Sequence, residues 1–329
     1  MTGPGGVLPA GEVEAPELPG FDATRPNVAR VYDFLLGGKD NYAADRAEAA
    51  RLTGVFPLLP LRARQNRLFL ARAVSWLAGQ GVRQFIDIGC GLPTVQNTHQ
   101  VARAADAGCR VAYVDRDPVV ICHARALLSG PGVIAVPGDL ADPDAILADP
   151  ALRAVIDLAE PAAVIVAMVL HFTDAATARG ITEAITRALA PGSFVVISAG
   201  SGDAQTGAML AREYQAGPLF NHSPAQIGAL FDGLELIPPG LADATCWVPG
   251  RAAPPLPARL SGGHIVAGVG RKPAPANPAA FPPAAKHKLG APWPAASPAP
   301  HKALLVSAAV FCCPGPASTV RAESTRRSR

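Results

Sequence analysis

The chain has 329 residues, 49% of them hydrophobic and 17% charged, which is enough apolar material for one large core. Its formal charge of +3 is uneven: residues 273–329 carry seven Lys/Arg against one Glu, a charge of +6, which leaves −3 for residues 1–272. The core-forming part therefore lacks the basic excess of a nucleic-acid binder, and no run reaches the roughly 18 apolar residues of a membrane span.

Residues 1–20 are rich in Gly, Pro and Glu and read as a flexible leader, without the basic-then-apolar order of a signal peptide. Residues 21–80 read as a helical cap. VARVYDFLLGG stops at Gly37-Gly38, a second helical segment follows from Asn41, and a third covers about 61–78, with Leu68, Leu70, Ala71, Val74 and Leu77 at helical spacing.

From residue 81 the pattern changes. Short continuous apolar runs at 83–89, 111–115, 132–139, 162–170 and 193–200 alternate with helical stretches at 94–107, 117–128, 143–157 and 175–189. Unbroken apolar strands between helices imply a parallel sheet covered on both faces. Helices at 203–215 and 224–231, a sixth strand at 233–240 and a returning seventh at 262–272 complete the expectation. The fold class is α/β: a Rossmann-like, seven-stranded, mostly parallel sheet with the core at 81–272. The Ala/Pro-rich stretch 273–329 reads as a disordered tail, its apolar patch at 303–313 too short to span a bilayer.

Cys90, Cys109, Cys122, Cys246, Cys312 and Cys313 show neither CxxC spacing nor paired histidines, so no metal site and no disulfide framework is expected. Scattered thiols of this kind suit a reducing, cytoplasmic setting.

The chemistry concentrates at strand ends. Phe85-Ile-Asp-Ile-Gly-Cys-Gly-Leu-Pro93 runs a strand into Asp87, then Gly89 and Gly91, then a helix. Such a turn lets the backbone approach a ligand, unless it is merely a tight structural turn. The next strand ends in Val114-Asp115-Arg116-Asp117-Pro118, where Asp115 can accept two ribose hydroxyls and Asp117 can cap the following helix. The third ends in Gly138-Asp139-Leu140, suited to an adenine amino group and ring. Three successive strands thus end in an acid at one sheet edge.

Here the sequence resembles the class I S-adenosylmethionine-dependent methyltransferases. IDIGCG fits their first motif, with Pro93 in place of the usual third glycine. A pyrophosphate needs that third glycine, and no Tyr-x-x-x-Lys pair is present, so both features count against an NAD-dependent oxidoreductase. The stretches 29–46, 64–74, 87–99, 113–120, 169–172 and 268–272 resemble one actinomycete S-adenosyl methyltransferase family, formerly catalogued as a domain of unknown function. That resemblance covers about 22–272.

The resemblance implies S-adenosylmethionine as cofactor and a cap that closes over it. Gly38, Lys39, Asn41 and Tyr42 would then form a lid turn, with a helix C-cap as the alternative for Gly38. Arg64, Asn66 and Arg67 would hold the methionine carboxylate, with a solvated helix face as the alternative. Met168 would lie beside the methyl group, where His171 could orient or deprotonate the acceptor and Phe172 could line the sulfonium. His171 alternatively packs within the loop. Such an enzyme chiefly aligns its reactants and excludes water. A small-molecule acceptor is expected, without nucleic acid or membrane; a non-catalytic S-adenosylmethionine-binding or sensor protein is the other reading.

Overall fold

The computed structural model describes residues 21–274, except 95, 129, 258, 259 and 261. These residues lie within the first of the chain's two units, Met1–Pro278. The expectations for residues 1–20 and for the tail beyond 274 fall outside the described residues.

Three helices come first: α1 (Val28–Leu36), α2 (Ala43–Val55) and α3 (Leu59–Gly79). Then β1 (Gln84–Ile88), β2 (Arg110–Asp115), β3 (Val133–Pro137), β4 (Ala163–Ala167) and β5 (Phe194–Ser201) alternate with α4 (Thr98–Ala105), α5 (Pro118–Leu127), α6 (Pro143–Ala148), α7 (Pro150–Arg153) and α8 (Ala175–Ala188). After β5 follow α9 (Ala204–Glu213), α10 (Pro224–Ala229), β6 (Glu235–Leu236), β7 (Ala242–Asp243) and β8 (His264–Arg271).

The sheet runs β3-β2-β1-β4-β5-β8-β6, with β7 also paired to β8. The first five strands are mutually parallel, and β8 returns antiparallel to β5 along its whole length, from Phe194↔Arg271 to Ser201↔His264. The expected sixth strand shrinks to two residues, and β7 adds an eighth, equally short strand that the sequence reading did not foresee.

Alternate residues of each central strand enter opposite cores, which explains the unbroken apolar runs. Ile86, Val164 and Val195 pack with Ile146, Ile181 and Ile227 on one face. Phe85, Ile165 and Val196 pack with Phe69, Val74 and Ala124 on the other. The expected helix at 143–157 is two short ones, because Asp149-Pro150 starts a new helix with the Asp149 carboxylate capping Leu152.

The cap is pinned by buried charge. Arg30 Nε donates to Asp45 at 2.8 Å, with side chains 3% and 0% exposed, and the guanidinium lies over the rings of Phe21 and Tyr42. On the far side, Glu48 accepts from Arg51 and from the Gln215 N–H, and Arg51 also pairs with Glu213 at 2.7 Å, tying α2 to the end of α9. No helix among the described residues is long and apolar enough to cross a membrane.

Candidate active site

All five parallel strands end at one edge, and the strand order reverses between β1 and β4, where open α/β sheets bind ligands. A cavity of about 400 Å³ lies there, within the usual range of roughly 300–1,000 Å³ for small-molecule sites. Lining it are the predicted Asp87, Gly89, Gly91, Asp115, Arg116, Asp139, Leu140, Met168, His171, Arg67 and Phe172.

The turn after β1 needs its glycines. Gly89 has φ 70°, and a Cβ on it would meet Val169 at 2.5 Å; Gly91 has φ 65° with open space around it. Gly89 N–H donates to the Val114 carbonyl at 2.8 Å, and Gly91 N–H donates to Asp115 at 3.0 Å. The other Asp115 oxygen accepts from Asp117 N–H at 3.0 Å. Burial raises the Asp115 carboxyl above the usual range, with those two N–H groups working against it. Asp117 itself accepts from Val119 N–H and caps α5. Arg116 and Asp139 lie 3.8 Å apart at the exposed rim, linking the ends of β2 and β3.

Burial also raises Asp87, which accepts from the Thr98 hydroxyl at 2.6 Å, and pushes the Cys90 thiol well up, so that it stays protonated. The Asn-Thr-His run is a fastener for this turn: Asn97 opens α4 in a capping box with Gln100, Thr98 holds Asp87, and His99 meets the Tyr113 hydroxyl at 2.9 Å. Capping at Asn97 delays α4 to Thr98, four residues after its expected start.

Strand β4 ends at Ala167, earlier than expected. Met168 turns the chain with φ 56°, and His171 sits in a 3-10 turn, Leu170–Phe172. Burial lowers the His171 imidazole to about 4, with the charge of His222 adding to the effect; its buried Nδ1 has no partner among the described residues. Phe172 stacks on Tyr214 at 5.8 Å.

From the cap, Asn66 accepts from the Ser198 hydroxyl at 2.7 Å and donates to the Tyr32 hydroxyl at 3.0 Å. Arg67 Nη2 donates to the Gln96 carbonyl, while its buried Nε has no partner among the described residues. Arg64 is exposed and lies off the cavity. So do Gly38, Lys39, Asn41 and Tyr42. Asn41 donates to Asp33 at 2.8 Å, a Cβ on Gly38 would overlap that carboxylate, and Tyr42 packs on Phe21 and Arg30. Asn41 and Tyr42 thus close the α1–α2 turn, while the Lys39 side chain is 93% exposed. Tyr32, Arg62, Tyr214, Phe220 and His264 also line the cavity and were not foreseen. For His264, the available signal was a histidine directly after Gly262-Gly263 at the start of a strand expected to return antiparallel.

The family model described as S-adenosyl methyltransferase matches residues 14–273. The chain belongs to the S-adenosyl methyltransferase family. It is 41% identical to a methyltransferase candidate from Thermobifida fusca, with 78% of this chain and 98% of that one covered and a TM-score of 0.70. With a DUF574 family protein from Streptomyces avermitilis it shares 35% identity over 77% and 99% of the two chains, at a TM-score of 0.69. No curated protein matches the sequence.

S-adenosylmethionine, the cofactor of an S-adenosyl methyltransferase, suits the groups present. The Asp115 carboxylate keeps lone pairs beyond the two N–H bonds it accepts, as a ribose requires. Arg67 Nε, without a partner among the described residues, is a donor suited to an anionic group, and the space around Gly91 is open.

Proposed function

We propose that this chain is a cytoplasmic enzyme that transfers a methyl group from S-adenosylmethionine to a small-molecule acceptor. The observation that carries the reading is the extent of the cavity. It runs from the acidic ends of β1, β2 and β3 past Met168 and His171 to Gly200 and Ser201 at the end of β5 and His264 at the start of β8. The first stretch suits a cofactor, and the second leaves room for another reactant, which a simple sensor would not need.

When bound, S-adenosylmethionine supplies an electrophilic methyl group on a cationic sulfur. Asp115 receives the ribose hydroxyls, Arg116, Asp139 and Leu140 bracket the adenine, and Arg67 holds the carboxylate. Asp87, Gly89 and Gly91 form the floor, while Met168 and His171 flank the reacting end. With its pKa lowered to about 4, His171 stays uncharged near neutral pH and does not repel a sulfonium. Such a weak base orients an acceptor better than it deprotonates one. The −3 charge of residues 1–272 supports a small molecule over a nucleic acid, and the free thiols of Cys90, Cys109, Cys122 and Cys246 suit a reducing compartment.

The test is calorimetric titration of the protein and of Asp115→Ala with S-adenosylmethionine, S-adenosylhomocysteine and NAD. The expected result is binding of both adenosyl ligands, lost in the variant. Binding of NAD instead, or of no ligand by folded protein, would overturn the reading.

A further inference from the structure

We propose that His264, held by Asp243 and accompanied by Arg62, takes the proton from the methyl acceptor, and that this acceptor is an aromatic hydroxyl compound. The proposal rests on the methyltransferase reading and assigns the far half of its cavity.

The topology brings the pair to the ligand edge. Because β8 runs antiparallel, its first residue lies opposite Ser201, the last of β5, so His264 stands where the parallel strands end. Its Nδ1 is 2.7 Å from Asp243 Oδ2. The other Asp243 oxygen accepts from the Thr245 N–H at 2.9 Å and hydroxyl at 2.6 Å, and Arg62 Nη1 approaches Oδ2 to 3.7 Å. Burial alone would raise the Asp243 carboxyl, but the bonds from Thr245 and His264 and the Arg62 charge hold it below the usual range.

An ionised carboxylate can only accept, so Nδ1 carries the hydrogen, and in the neutral ring Nε2 then holds the lone pair. Nε2 has no hydrogen bond among the described residues. Both His264 and Arg62 line the cavity, and the buried Arg62 Nε lacks a partner among the described residues.

The remaining wall selects the acceptor. Phe56, Phe172, Tyr214, Phe220, Leu59 and Leu219 line the same cavity, an apolar surface suited to a flat ring. The proton of the acceptor's O–H passes to Nε2 while the bonding pair stays on oxygen. The imidazolium is balanced by Asp243 and the aryloxide by Arg62, and that oxygen pair would then bond the methyl carbon as the carbon–sulfur bond breaks, its pair returning to sulfur to leave the neutral thioether S-adenosylhomocysteine. After turnover the proton leaves Nε2 for solvent. His171, lowered to about 4, is too weak a base for this step.

The probe is para-nitrophenol, titrated into full-length protein in a buffer acidic enough to keep the free probe mostly protonated, with phenolate absorbance as the readout. Wild type should give a saturable phenolate signal. His264→Gln and Asp243→Asn should each weaken it by roughly tenfold or more, the loss expected for a charge-assisted hydrogen bond. No phenolate signal in wild type, or an undiminished one in His264→Gln, overturns the proposal; if that variant fails to fold, Asp243→Asn decides. Calorimetry with S-adenosylhomocysteine runs alongside. Absent binding to wild type would end the methyltransferase reading, while the nitrophenol result on free protein still decides the pair.

Discussion

Gly89 and Gly91 share a left-handed backbone but differ in what surrounds them, so the same substitution should separate two effects. An L-residue at such a φ costs about 1–2 kcal/mol. Gly91→Ala meets nothing else, whereas Gly89→Ala also drives a methyl into Val169. We expect urea unfolding to show a loss of about 1 kcal/mol for Gly91→Ala and about 3 kcal/mol for Gly89→Ala, overpacking supplying the difference. Equal losses would mean that Val169 yields freely. His171 gives a prediction with a defined sign. Its folded value of about 4 lies below the unfolded value of about 6.5, so the unfolded state binds the proton first as pH falls. Stability should drop between about pH 6.5 and 4, by up to about 3 kcal/mol, and His171→Gln should flatten that part of the profile. The raised Asp87 and Asp115 act in the opposite direction, so the difference between wild type and variant, rather than either curve, isolates the imidazole. At this scale the sequence was most informative at strand ends: the strand pattern alone put Asp87, Asp115 and Asp139 at the edge where they line the cavity. His264 was missed because its partner Asp243 comes from β7, a two-residue strand without a hydrophobic signature.

At the scale of elements, the cap and the sheet were legible to different depths. The five parallel strands announce themselves because each is buried on both faces, and a continuous apolar run leaves little choice. Strands β6 and β7 form by pairing with β8 alone, which leaves no trace in composition. The cap's helices were visible in their apolar spacing, whereas its turn was not: Gly38, Asn41 and Tyr42, read as lid groups, lie off the cavity, with Asn41 bonded to Asp33 and Tyr42 against Arg30, contacts that a sequence does not show. The Arg30–Asp45 pair offers the sharper test of how the cap stays in place. Asp45 also accepts from the N–H groups of Asn27 and Tyr42, so it joins the entry to α1 with the start of α2. Replacing it by Ala leaves the buried guanidinium with only the Asp22 and Arg25 carbonyls and the Asp117 carboxylate at 3.9 Å, a loss of about 3 kcal/mol, the low end for removing one partner of a buried pair. We expect Asp45→Ala to raise hydrogen exchange and protease cleavage across residues 21–58 before the sheet responds, and to weaken S-adenosylhomocysteine, since Arg67, proposed to hold its carboxylate, belongs to the same cap. A uniform loss across the whole molecule would show instead that cap and sheet unfold as one unit.

For the whole molecule, the question is where the folded unit ends. The family match stops at residue 273, and β8 ends at Arg271. Lys272 closes the edge: its N–H donates to the Ser193 carbonyl at 2.8 Å, and its ammonium donates to the carbonyls of Thr186 at 2.8 Å and Leu189 at 2.6 Å. That ammonium satisfies carbonyls at the end of α8 and balances the negative end of its dipole. Residues 273–329 add a charge of +6 to a unit of −3, and we propose that the folded unit needs none of them. A chain shortened to residues 1–274 should therefore melt at the same temperature as the full chain and bind S-adenosylhomocysteine with the same affinity. Lys272→Met in the full chain should lower stability by about 1–2 kcal/mol, through carbonyls left without their charged donor. Both follow from thermal melts and calorimetry on the same preparations. Insoluble or weakened 1–274 would place a structural role in the tail, and an unaffected Lys272→Met would move the boundary of the fold back to β8.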